Sequence, residues 1–227
     1  MKLFDDLISL LAPYDCIGCN AEGRLICTNC RSGLQSAIKR CYRCHASGRN
    51  FATCPACCPA SPLSSVMAAT RYDDIAKDVI WRLKFGRTRG AASEIADIMV
   101  QQLRLQRVLS TVPDLIVTHA PTATSRVRQR GYDQASLIAR SLASGSHVRY
   151  APLLARMGHQ KQIGADKAQR AAQLMHAFRV INHSRVRGAH ITLVDDVVTT
   201  GATLEAAAQT LLDAGARRVD AIAFAQA

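Results

Sequence analysis

Four Cys-x-x-Cys pairs, Cys16/Cys19, Cys27/Cys30, Cys41/Cys44 and Cys54/Cys57, follow one another near the start of the chain. A two-residue gap lets both sulfurs of a knuckle reach one tetrahedral ion at about 2.3 Å, and two knuckles complete a closed four-cysteine site. Four knuckles therefore predict two structural zinc ions. Sequential pairing is the simplest arrangement, because each loop to be closed is short; a cross-braced pairing remains open. Cys58 is left over, either as a substitute for Cys57 or as a bystander. Redox dithiols or disulfides are the rival reading, disfavoured wherever thiols stay reduced. The segment has too few large apolar residues for a core of its own, so metal is expected to supply its folding energy. Closed sites offer no open coordination position, which argues against catalysis at zinc.

All nine cysteines lie between Cys16 and Cys58. This places a boundary near Ala60, with an N-terminal helix and double zinc ribbon over residues 1–60 and a second domain over 61–227. Met1 to Leu11 reads as a short amphipathic helix, since acids interrupt it early and neither a basic start nor an Ala-x-Ala-like cleavage site is present. No stretch approaches the roughly 20 apolar residues that span a bilayer, so a soluble cytoplasmic protein is expected. The formal charge is +12. Eight thiolates on two Zn²⁺ would reduce this to roughly +8, which still suits a phosphate-rich partner, small molecule or nucleic acid. Arg24, Arg31, Lys39, Arg40, Arg43 and Arg49 surround the knuckles. They read either as a nucleic-acid contact or, more simply, as a solvated basic face or a docking surface for the rest of the chain.

From Ser65 onward apolar runs alternate with helical patterns. Val66 to Tyr72, Asp114 to Val117, Ile191 to Val194 and Val219 to Phe224 read as strands. Helices are predicted over Ile75 to Phe85, Ala91 to Val108, Tyr132 to Leu142, Asp166 to His176 and Ala202 to Ala214. Basic loops are expected over His119 to Gly131 and around Arg156 to Gly164. This alternation predicts an α/β domain with a mainly parallel sheet flanked by helices, and in such sheets ligands bind beyond the carboxyl ends of the strands.

The segment Ile191-Thr192-Leu193-Val194-Asp195-Asp196-Val197-Val198-Thr199-Thr200-Gly201-Ala202-Thr203 carries the chemistry. Two acids at the end of a buried strand are costly unless something uses them. Beyond them, small residues and glycine let backbone N–H groups approach an anion. The helix N-terminus adds a favourable dipole, and three hydroxyls can donate to phosphate oxygens. A polyol and a phosphate held side by side satisfy both halves. No Gly-x-x-x-x-Gly-Lys-Ser/Thr occurs, no Gly-x-Gly-x-x-Gly follows a strand, and no Ser/His/Asp or Cys/His constellation appears.

Val194-Asp195-Asp196-Val197-Val198-Thr199-Thr200-Gly201-Ala202-Thr203 resembles the signature of type I phosphoribosyltransferases. The resemblance implies that Asp195 and Asp196 accept hydrogen bonds from ribose 2′- and 3′-hydroxyls. It likewise implies that Thr199, Thr200, Gly201 and Thr203 hold the 5′-phosphate, with backbone around Val198 and Ala202 assisting. Zinc knuckles, Trp81-Arg82-Leu83-Lys84-Phe85-Gly86, Arg126-Val127-Arg128-Gln129-Arg130-Gly131-Tyr132-Asp133-Gln134-Ala135 and this signature, in that order, resemble the ComF family, whose members are associated with natural competence. Asp133 and Gln173 stand where asparagine is expected, and His119, before Ala120-Pro121, departs from a Val-Pro-Val-Pro-like pattern.

Phosphoribosyl transfer displaces pyrophosphate from ribose C1, so cation must be favoured at the sugar and anion at the leaving group. Asp195 and Asp196 are the expected groups at the first. Mg²⁺ and basic residues drawn from Lys84, Arg87, Arg126, Arg128, Arg130 and Lys161 are expected at the second. Arg126, Arg128 and Arg130 would alternate faces if extended, and Arg130 is the favoured member. Ala120 and Pro121 backbone groups, in the loop after the strand Asp114 to Val117, are expected to help. Two functions follow: an enzyme that binds 5-phosphoribosyl-1-pyrophosphate and transfers phosphoribosyl to an unidentified acceptor in a competence setting, or a non-catalytic binder of that ligand contacting single-stranded DNA or a helicase partner. Aromatic content of 5% argues against a stacking platform for single strands.

Overall fold

A computed structural model describes residues 14–48, 50–86, 88–105, 114–157 and 177–227. The expected helices over Met1 to Leu11 and Asp166 to His176, and Arg49, Arg87, Lys161 and Gln173, lie outside the described residues.

In chain order the elements are α1 (Thr28–Ser32), β1 (Val66–Arg71), α2 (Asp74–Phe85), α3 (Ala91–Leu105), β2 (Leu115–His119), α4 (Thr124–Arg130), α5 (Gln134–Ser146), β3 (Arg149–Tyr150), β4 (Leu154–Arg156), β5 (Phe178–Val180), α6 (His183–Val186), β6 (His190–Val198), α7 (Ala202–Asp213) and β7 (Arg218–Gln226). Five strands form one sheet in the order β1-β7-β6-β2-β3, and every pair in it is parallel. β4 and β5 make a separate antiparallel pair. Parallel strands need covering on both faces, and the apolar side chains accordingly divide into two clusters. Val117, Val194, Ile222 and Phe224 join Val79, Ile80, Leu83, Ile95, Met99, Ile138 and Leu142 of α2, α3 and α5. Ile116, Ile191, Leu193, Ala221 and Ala223 join Leu204, Leu211, Leu154 and Phe178 of α7, β4 and β5.

The connections decide where a ligand fits. From β2 the chain crosses through α4 and α5 to β3 on one side, whereas from β6 it crosses through α7 to β7 on the other. The strand order therefore reverses between β2 and β6, and a crevice opens beyond their carboxyl ends. β6 pairs with β2 only as far as Val194, opposite His119, but with β7 as far as Val198. Asp195 and the residues after it thus stand at the lip of that crevice.

The structure corrects two local expectations. Residues 124–130 are helical rather than a loop, with the chain turned at Gly131 in a left-handed conformation, φ +81°. The alternation argument for the three arginines lapses with it: Arg126 and Arg130 are one helical turn apart and share a face, and Arg128 does not. β6 continues through Asp195 and Asp196 instead of ending before them. The cysteine-rich segment also contributes to the common core, since Leu25, Ile26 and Phe51 lie in the first apolar cluster and Tyr42 in the second.

Candidate functional site

The eight paired cysteines gather as two clusters, Cys16/Cys19/Cys27/Cys30 and Cys41/Cys44/Cys54/Cys57, with all four sulfurs of each within 4.8 Å of one another. Tetrahedral Zn–S bonds of about 2.3 Å place sulfurs about 3.8 Å apart, and the Cys19–Cys27 and Cys44–Cys54 separations of 3.6 and 3.5 Å match. Pairing is sequential, and Cys58 is exposed outside the second cluster. Burial raises the Cys16 thiol, but N–H groups of Cys27, Gly18 and Cys19 outweigh it and bring it to about 6. Cys41 also falls to about 6, with burial opposed by the N–H groups of Cys44, Cys54 and Arg43. One thiolate per cluster is thus favoured before any metal adds its charge, and the donor sets suit two structural zinc ions.

At the sheet's switch point the acid pair splits across the two faces, because successive strand residues point to opposite sides. Asp196 follows Val194 toward α2, where Lys84 Nζ donates to its Oδ1 at 2.9 Å. Its Oδ2 is buried without a partner, a state that costs about 1–3 kcal/mol for a polar atom. Asp195 follows Leu193 toward the β4–β5 side, and its Oδ1 accepts from the Asp196 N–H at 2.8 Å. Burial, and then the neighbouring Asp196 carboxylate, push the Asp195 carboxyl up to about 8. Arg156 lies within this field: burial lowers its pKa, Arg126 lowers it further, and Asp195 and Asp133 oppose. Lys84 thus bonds Asp196 and its charge also acts on Asp195, while the charge of Asp195 reaches Arg156. The sequence places Arg156 only in a basic loop; its position over the Phe178 ring at 5.2 Å depends on the antiparallel β4–β5 pair, which no sequence signal marks.

Beyond Val198 the exposed Thr199 and Thr200 lead to the buried Gly201, which has φ +77° and precedes α7 with no side-chain cap. A helix start without a side-chain cap leaves N–H groups for an anion. Ala202 N–H reaches Thr200 Oγ1 at a long 3.4 Å, and Thr203 sits in the first turn of α7. Val198, Thr199, Thr200, Gly201, Ala202 and Thr203 are thus gathered at one junction beside the acid pair.

The remaining expected residues divide. Arg126 has its charge felt at Arg156. Arg130 instead lies over the Phe85 ring at 5.3 Å and bonds Gln134 at 2.7 Å. Ala120 and Pro121 reach the crevice, yet the Ala120 N–H already donates to Val194 O at 3.0 Å, proline has none, and Pro121 O accepts from Arg156 at 3.4 Å. Neither offers a backbone N–H to a diphosphate. Asp133 accepts from the Thr122 N–H at 2.8 Å and caps α5 through Ser136 N, so it braces that loop. Burial depresses the His119 pKa, with Asp133 opposing, and its Nδ1 lies 3.1 Å from Tyr150 Oη.

Several known proteins are similar to this chain. The family described as "Phosphoribosyl transferase domain" matches residues 127–227. The DNA utilization protein YhgH of Salmonella typhi is 28% identical over 202 residues, covering 86% of this chain and 87% of that protein. The competence protein ComFC of Bacillus subtilis (strain 168) is 33% identical over 146 residues, 63% of this chain and 56% of that protein. Among solved structures, a glutamine phosphoribosylpyrophosphate amidotransferase from B. subtilis is 18% identical over 63% of this chain and 30% of its own, with a TM-score of 0.42. Adenine phosphoribosyltransferase from Leishmania tarentolae is 19% identical over 59% and 56%, at a TM-score of 0.35. The chain thus spans less than a third of the amidotransferase and about half of ComFC. No helix among the described residues is long and apolar enough to cross a membrane.

Proposed function

We propose that this chain, a member of the ComF family with a type I phosphoribosyltransferase fold, binds 5-phosphoribosyl-1-pyrophosphate between the ends of β2 and β6 and transfers its phosphoribosyl group to a nitrogenous acceptor. One observation carries the reading: a buried carboxylate oxygen on Asp196 that lacks a donor stands beside a glycine turn whose helix start lacks a side-chain cap. Ribose hydroxyls would satisfy the first and a 5′-phosphate the second. The acceptor nitrogen forms a bond to C1 as the C1–O bond breaks, the electron pair leaves with pyrophosphate, and the acceptor's proton goes to solvent or to the leaving group.

Asp195 and Asp196 orient the sugar and favour the positive charge that develops on it. Proton loss from Asp195 is easier once ribose hydroxyls donate to it, because hydrogen bonds to the charged form lower a carboxyl pKa. Arg156, which reaches Pro121 O, and Arg126, whose charge acts on it, are the cations assigned to the leaving group. Only the two cysteine clusters bring three or more potential metal ligands together among the described residues. The acid pair therefore suits a Mg²⁺ carried mainly by diphosphate oxygens, with at most one or two carboxylates, and such an ion would neutralise the leaving group. Calorimetry with ligand and Mg²⁺ tests the assignment: the Asp195→Asn/Asp196→Asn variant should lose binding, and unchanged affinity would sink it. A screen of nucleobases, amines and DNA for pyrophosphate release tests the transfer.

A second reading, a non-catalytic binder of the same ligand that contacts single-stranded DNA or a helicase, is favoured by a specific surface. Trp81 and Phe85 on α2 are 56% and 57% exposed, their ring centroids lie 6.0 Å apart, and Arg130 covers Phe85. Bases stack on such rings beside cations whatever the overall aromatic content. Trp81 is the chain's single tryptophan, so quenching of its fluorescence by an oligonucleotide, without pyrophosphate release by any acceptor, would favour this reading over the enzyme.

A further inference from the structure

The second cysteine cluster touches the phosphate loop from both ends. Tyr42 and Arg43 are the two residues between the ligands Cys41 and Cys44. Tyr42 is 2% exposed, and its ring lies so close to Gly201 that a Cβ built there would meet its Cδ2 at 2.7 Å. Its hydroxyl lies 2.6 Å from Glu205 Oε1 and 2.6 Å from Ser61 Oγ. Arg43 Nε donates to the same Glu205 oxygen, and the Glu205 N–H donates to Gly201 O at 2.8 Å. The knuckle thus grips the first turn of α7 through the Glu205 carboxylate, that turn carries the Gly201 carbonyl in its first backbone hydrogen bond, and the Tyr42 ring covers the glycine. On the other side of Cys41, Arg40 donates to Ala227 O at 3.1 Å, and the Ala227 N–H donates to Val198 O at 3.0 Å. Val198 and Gly201 flank the two threonines.

We propose that Tyr42 and Arg43 are positioning residues for the Thr199–Thr203 loop, acting through Gly201 and Glu205, so that the second cysteine cluster is part of the phosphate site. The proposal rests on the reading of that loop as the 5′-phosphate holder. Its physical basis is preorganisation: an anion bound by backbone N–H groups binds well only if those groups already converge, and a glycine at positive φ has no side chain to hold it there. The knuckle supplies that hold. Its own shape would be set by the metal, so metal at this cluster and order in the loop are linked.

The test uses the full zinc-loaded chain and two measurements. Tyr42→Ala should speed amide hydrogen exchange across residues 198–204 while zinc per chain stays unchanged, and should weaken 5-phosphoribosyl-1-pyrophosphate binding by roughly tenfold or more, since small misplacements of binding groups carry effects of that order. Tyr42→Phe, which keeps the ring on Gly201, should recover most of the loss. Unchanged exchange in the loop, or unchanged affinity with a loosened loop, overturns the proposal. If Tyr42→Ala does not fold, Arg43→Ala on the knuckle's surface replaces it; a smaller shift in both measurements is then expected, and no shift in either overturns the proposal. Failure of the wild type to bind the ligand sinks the phosphate reading instead, while the exchange measurement still reports whether the knuckle holds the loop.

Discussion

The two cysteine clusters use the same ligands with the same two-residue gap in every knuckle, yet they meet the rest of the molecule in different ways. The first is docked through its backbone: the N–H groups of Leu25 and Ile26 donate to Glu94 of α3 at 3.0 and 2.8 Å. Between its first two ligands stand Ile17 and Gly18, and a Cβ on Gly18 would meet Cys30 Sγ at 2.7 Å and Ile75 at 3.3 Å. The second is docked through side chains, with Tyr42 and Arg43 in the equivalent places reaching Glu205 and Gly201. The first cluster therefore leans on the helical layer behind the sheet, whereas the second, with Phe51 in that same layer, also reaches the mouth of the crevice. Identical metal chemistry can staple a fold or shape a site, according to which two residues lie between the thiols.

The comparison is tested most severely by removing metal from one cluster at a time. Cys41→Ser/Cys44→Ser should take zinc from about two to about one per chain and reduce ligand affinity by a hundredfold or so, the upper end for lost supporting contacts. Cys16→Ser/Cys19→Ser should lose the same zinc and lower the melting temperature, yet leave the affinity of the folded protein within about threefold of wild type. Equal losses of affinity would erase the distinction.

The two glycines give a matched pair with smaller effects. Gly201→Ala places a Cβ on the Tyr42 ring at φ +77° and should cost about 1–3 kcal/mol in stability, with ligand affinity down roughly tenfold and zinc unchanged. Gly18→Ala should cost a similar amount but appear as weakened metal retention, measured by competition with a chelator, and not as lost affinity. Glu205→Ala and Glu94→Ala sharpen the contrast further. Each removes an acceptor from two donors, for about 1–3 kcal/mol by denaturant titration, and Glu205→Ala alone should change the affinity, by several fold.

One further effect belongs to neither cluster and serves as the control. Asp195 carries a folded-state pKa of about 8 against an ordinary value of 3.8. The folded chain therefore holds a proton that the unfolded chain releases across that interval. Stability of the ligand-free protein should accordingly decline as pH rises from about 4 toward 8. Asp195→Asn should flatten this slope in urea titrations, whereas variants of either knuckle should retain it.

Much of the candidate site is legible as a local pattern. The acid pair and the Thr-Thr-Gly-Ala-Thr run lie in one contiguous stretch, and an apolar run before a glycine-containing turn marks a strand-loop-helix junction from sequence alone. Two signals mislead for physical reasons. Arg126 to Arg130 has no apolar stripe, so α4 is invisible to periodicity, although Gly131 marks its end as a left-handed stop. Asp195 and Asp196 look like the end of a strand because charge suggests exposure, but β7 continues beside them and supplies ladder partners through Val198. The Trp81–Phe85 pair escapes an argument from composition, which averages over the chain and cannot report where two aromatic rings stand.

What the sequence determined by itself was chemistry that depends on short spacing: the knuckles, the acids beside the threonine loop, and the alternation of strands and helices. Pairing of the clusters followed from short loops, as expected. The tertiary structure decided which groups meet across long separations: Lys84 with Asp196, Arg156 near Asp195, and Tyr42 against Gly201 and Glu205. Those contacts carry no local signature, because a side chain's partner across 112 or 163 residues is set by how two layers pack on a sheet and not by anything within reach of the residue along the chain.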